Sequence, residues 1–167
     1  MAAPDGNRFL EFTHVTWING AELTFWRIPG VPGIAPAVDA VGLLKIVGGY
    51  GDETAEAIFD DVARDENLIR PCAPHDGADP SEVRALASFG GALRLIGRLA
   101  DAGFGQDDLA DRYVAALIDA IKADELEGDP PADVADLERR AIQRLAGELI
   151  AMQPWTGETS SGGEGAE

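Results

Sequence analysis

The pattern of apolar and polar positions is most strand-like in FLEFTHVTWINGAELTFWRI, residues 9–28. Two β-prone runs flank Asn19-Gly20, a dipeptide suited to the type I′ turn, whose two central residues need φ > 0. A hairpin closed by that turn sets Ile18 opposite Ala21, Trp17 opposite Glu22, Val15 opposite Thr24 and Thr13 opposite Trp26. The two-residue period of a strand then defines two faces. One carries Phe12, His14, Thr16, Ile18, Leu23, Phe25 and Arg27; the other carries Thr13, Val15, Trp17, Glu22, Thr24, Trp26 and Ile28. Both faces are apolar, and a hairpin alone is marginally stable. One face is expected to pack on helices, and the other to meet more of the chain, another copy or a partner.

The pattern then changes to a helical period. A Pro/Gly connector, IPGVPGIAPAV, leads to Ala35-Pro36, the expected start of a short helix. Val38, Val41, Leu44 and Val47 form its stripe and Gly48-Gly49 end it. Asp52 is the expected N-cap of a helix bearing Ile58, Phe59 and Val62. RPCAPHDGADP reads as a loop. It ends in a capping box, with Asp79 as N-cap, Pro80 at N1 and Glu82 at N3, and this predicts a long helix. Val83, Leu86, Phe89, Leu93, Ile96 and Leu99 would line one side of it. Gly90-Gly91 and Gly97 inside it imply a close helix crossing or a break, since each costs about 1 kcal/mol against alanine. A fourth helix starts near Asp107 or Asp108, carries Leu109, Tyr113, Leu117 and Ile121, and ends at Gly128. A fifth opens at Asp129-Pro130-Pro131 and runs to Pro154.

These segments predict an α+β, mostly α fold, with an N-terminal β-hairpin packed on a bundle of about five helices. Residues 1–8 read as a flexible start. Residues 9–155 read as a single domain, with the hairpin at 9–28 and a helical body at 35–153. Residues 156–167, TGETSSGGEGAE, read as a disordered acidic tail.

Charge sharpens this division. The chain has 167 residues and a formal net charge of −17. Residues 1–50 hold four acids against three bases, so nearly all the charge lies beyond the hairpin and its connector. Such acidity argues against nucleic-acid and membrane binding, which need basic surfaces. It fits solubility or a halophilic cytosol, recognition of a basic protein, or imitation of nucleic acid. One cysteine, Cys72, allows no internal disulfide and fits a reducing compartment. The first ten residues lack a signal-peptide pattern, and no apolar run reaches membrane-spanning length. A cytoplasmic protein is expected.

Candidates for chemistry are few. Cys72-x-x-His75 is half of a metal site, and His14 is the only other strong nitrogen ligand. Cys72 with His75 as base lacks an evident third group. His14 reads as a packed or edge histidine. DELEGD at 124–129 fails the order and spacing of a calcium loop. The glycines match no phosphate-binding or dinucleotide motif. No catalytic, cofactor or metal residue is assigned, and a non-enzymatic protein is expected. The aromatics offer more: Trp17 and Trp26 share a face with Val15 and Ile28. That face suits core packing under a helix, or docking, where tryptophan is a favoured anchor. Trp155 beyond Pro154 is a further candidate contact. The partner-binding candidates are thus Val15, Trp17, Trp26, Ile28 and Trp155.

The order FTHVTWINGAELTFWRIP, then APAVDAVGLLKIVGG, then FGGALRLIGRLADAGF resembles the tail assembly chaperones of long-tailed phages, prophages and gene-transfer particles. The likeness is one of layout over residues 9–152, and no motif aligns residue by residue. It implies a small cytoplasmic protein, in the host cytoplasm if phage-encoded. Such a protein binds the tape-measure protein, tail-tube subunits or both during assembly and shields apolar helices from aggregation. The alternative is an acidic DNA-mimic type inhibitor or another small adaptor protein. A homo-oligomer is compatible with either.

Overall fold

In the computed structural model, which describes residues 11–27, 35–73, 79–127 and 131–151, the hairpin forms as its turn chemistry requires. Strands β1 (Glu11–Ile18) and β2 (Ala21–Arg27) pair antiparallel. Asn19 and Gly20 adopt φ of 53° and 79°. The register matches expectation from Ile18–Ala21 to Val15–Thr24 and then shifts at a bulge between Phe12 and His14. Phe12, not Thr13, therefore faces Trp26. Thr13 turns inward, buried, and its Oγ1 donates to the Phe25 carbonyl at 3.3 Å.

The hairpin is one end of a larger sheet. Strands β3 (Ala37–Asp39), β4 (Ile69–Cys72) and β5 (Arg84–Ala87) extend it in the order β1-β2-β3-β5-β4, and every pair is antiparallel. Three sequence expectations change here. Residues 37–39 are strand, with Val38 opposite Phe25, so the first helix starts later. Asp39 caps that helix, accepting from the amides of Val41 and Gly42. The stretch read as a loop from Arg70 begins instead within β4, whose last three residues are Arg70, Pro71 and Cys72. The capping box at Asp79 forms, but it serves a single 3-10 turn, Pro80–Glu82. Val83 leaves that turn in extended geometry, with ψ 133°, and the chain pairs as β5 before Ser88 caps the next helix. Backbone pairing with β3 and β4 outweighs the apolar spacing that suggested one continuous helix.

Five α-helices complete the described residues: α1 (Ala40–Ile46), α2 (Glu53–Ala63), α3 (Phe89–Asp101), α4 (Leu109–Leu126) and α5 (Val134–Ala151). Asp52 caps α2 as expected, through the amides of Thr54 and Ala55. The last helix starts at Val134, later than its prolines suggested, with Asp133 accepting from the amide of Asp136 at 2.8 Å. None of these helices is long and apolar enough to cross a membrane. Residues 1–8, expected to be a flexible start, most of the connector, Gly128, Pro154 and residues 156–167 lie outside the described residues.

The core lies between the sheet and α1, α3 and α4. Leu23, Phe25, Val38, Ile69 and Ala87 point from the sheet into it, all but Ile69 fully buried. Tyr113 of α4 is sandwiched between Phe25 and Phe89, with ring centroids 6.2 Å away on each side. Its hydroxyl is enclosed without a hydrogen-bond partner among the described residues, and burial, with Glu148 nearby, pushes its pKa upward. A buried hydroxyl left unpaired costs about 1–3 kcal/mol. Tyr113→Phe is therefore expected to hold or raise the melting temperature, which a thermal denaturation series checks; a clear loss would mean that the hydroxyl has a partner.

Helix α5 is held differently. Of its described side chains only Ala141 is fully buried. Charges bind it to α4: Arg144 reaches Asp124 at 2.8 Å and Glu125 at 3.0 Å, and Lys122 pairs with Glu138. Arg27, at the end of β2, pairs with Asp124 and with Glu127. Much of the acidity of this region is thus spent on internal pairs.

Candidate functional site

Strand alternation and the observed register place Phe12, Val15, Trp17, Glu22, Thr24 and Trp26 on one outer face of the hairpin. Ala37, Leu86, Arg84, Arg70 and Cys72 continue that face across β3, β5 and β4. The opposite face carries the core residues. On the hairpin the outer face is open: Trp17 is 64% exposed and Phe12 49%, with Val15, Thr24 and Trp26 partly buried. Phe12 meets Trp26 edge to face, with centroids 5.8 Å apart at 71°. The Arg84 guanidinium lies over the other end of this cluster, 5.0 Å from the Trp26 ring centroid. The Trp26 Nε1 proton is enclosed and has no acceptor among the described residues. Buried tryptophan N–H groups usually find one.

Beyond this aromatic ridge the face descends into a cavity of about 340 Å³. Ala37, Leu86 and Phe89 give it an apolar lining, and Arg70, Glu66 and Glu148 bring charge to it. Its volume lies at the lower end of the range for ligand pockets. Cys72 also lines it, and burial pushes this thiol up, only partly offset by Arg70. It is held as the poorly nucleophilic thiol.

The sequence candidates separate cleanly. Val15, Trp17 and Trp26 do share the outer face. Ile28, Trp155 and His75 lie outside the described residues. His14 sits on the core side of β1, its ring 6.2 Å from that of Phe25. Cys72 is on the outer face of β4, at the opposite edge of the sheet. Four inter-strand spacings, about 19 Å, divide them. Among the described residues no group of three His, Cys, Asp or Glu side chains converges to hold a metal ion. Sequence reasoning missed Phe12, because the bulge that turns it outward leaves no mark in composition. It also missed the cavity, which depends on the unforeseen strands β3, β4 and β5. Comparison with protein families, with curated proteins and with solved structures finds no match for this chain.

Proposed function

We propose that this chain is a protein-binding module, and that the open outer face of its hairpin docks an amphipathic helix with cationic flanks. The observation that carries this reading is the exposure of both Phe12, packed on Trp26, and Trp17, farther along the same strand face, on a sheet whose other face is already filled. Large exposed aromatics are the usual anchors of a protein interface. The net charge of −17 supplies the sign of the partner, because a strongly acidic body attracts cationic chains and repels acidic ones.

The layout likeness to phage tail assembly chaperones supports a specific partner, the tape-measure protein, whose long apolar helices need shielding before assembly, or the tail-tube subunits. Co-expression with the tape-measure protein encoded in the same genome tests it. A soluble complex is expected, with an association rate that falls as salt rises. A genome without such a gene, or a tape-measure protein that stays insoluble beside this chain, contradicts the tail-assembly reading.

A further inference from the structure

The two edges of the sheet are built differently. β4 has four residues, carries Pro71 without an N–H, and displays the exposed Arg70. Short length, proline and charge are the usual protections of an edge strand. β1 has eight residues, EFTHVTWI, with no proline, lysine or arginine. Its one irregularity is the bulge at its far end, between Phe12 and His14. A two-residue turn makes Ile18–Ala21 a hydrogen-bonded pair, and such pairs alternate along an antiparallel ladder. Val15 and Trp17 therefore direct their N–H and C=O groups away from β2. Among the described residues β1 pairs with β2 alone.

We propose that a second copy of this chain pairs with β1, edge to edge and antiparallel, joining the two sheets into one. Three features select a copy over another strand. The identical edge brings equivalent side chains together about a two-fold axis, the commonest symmetry of oligomers. Association then stops at two, because the joined sheet ends on both sides in the protected β4. The hairpin is also nearly neutral, so it is where two chains of charge −17 approach with least repulsion. Joining the edges sets the Val15 and Trp17 side chains of both copies along one continuous outer face.

The salt dependence separates this contact from partner docking. Two acidic copies are drawn closer by screening, so dimerisation strengthens with salt, whereas a cationic partner binds less well. Sedimentation velocity of the full chain should give twice 17.6 kDa, with a larger dimer fraction at higher salt. The Val15 and Trp17 amides should gain protection from hydrogen exchange as concentration rises. Val15→Pro removes one outward N–H and Trp17→Lys adds an edge charge; each should return the protein to monomer with unchanged circular dichroism. A species of 17.6 kDa at every concentration would overturn the proposal and leave the docking reading standing. So would a dimer in which those two amides exchange freely. If Val15→Pro fails to fold, the exchange measurement on the unaltered protein decides.

Discussion

Gly91→Ala is expected to destabilise the fold by about 3 kcal/mol or more, beyond the usual range for a surface change. A Cβ at Gly91 would lie 2.1 Å from the carbonyl oxygen of Leu68 and 2.7 Å from its carbon. Both are backbone atoms, so no side chain can swing aside. The same carbonyl accepts the Ser88 amide at 2.9 Å, and the Ser88 Oγ caps α3 through the Gly91 amide at 3.1 Å. Relieving the clash would pull the first turn of α3 away from the segment leading into β4. At this chain length the loss corresponds to a melting temperature lower by roughly 6–12 °C. Gly97 in the same helix is the control. Nothing lies within 4 Å of its added Cβ, and the residue is exposed. Gly97→Ala should stabilise by up to about 1 kcal/mol through helix propensity. Thermal melts of the two variants should move in opposite directions; a shared direction would contradict the placement of α3.

Phe12→Ala with Trp17→Ala is expected to abolish partner capture while the protein stays folded. Trp17 is 64% exposed and Phe12 half exposed, so their loss should cost no more than about 1–2 kcal/mol, the edge-to-face contact of Phe12 with Trp26 included. As interface anchors, each is worth about 2 kcal/mol, close to 30-fold in affinity. Trp26→Ala is a poorer test, since Trp26 also packs against Phe12 and beneath Arg84. The control is Ile142→Ala on α5, a residue 59% exposed and remote from the hairpin turn in sequence. Helix α5 also shows Val134 and Leu149 to solvent. If Ile142→Ala weakens capture and the hairpin variant does not, the partner sits on α5. Titration calorimetry or pull-down with the co-expressed partner makes the comparison.

What the sequence could reveal here depended on how local each signal was. Asn19-Gly20, the alternation around it, and the caps at Asp52 and Asp79 all act within a few residues, and each forms. The strands β3 and β5 have three and four residues, AVD and RALA, with one β-branched residue between them. They exist because each completes the hydrogen bonding of a distant neighbour, and no local pattern encodes that. The apolar spacing of Val83, Leu86 and Phe89 fits a helix equally well, so periodicity alone misassigned it. Gly91 was legible as a close approach, though it meets the backbone at Leu68 rather than another helix. Of the candidate site, the pairing of Trp17 with Trp26 on one face followed from alternation. The place of Phe12 did not, since one inserted residue inverts every side chain beyond it.

On the proposed function, a protein partner binds the open outer face of the hairpin. Photo-crosslinking tests it most directly, with benzoylphenylalanine placed at Trp17 in one preparation and at Ala115, an exposed position of α4, in another. A crosslink to the co-expressed partner is expected from position 17 and none from position 115. Capture of the partner from position 115 but not from position 17 would contradict it.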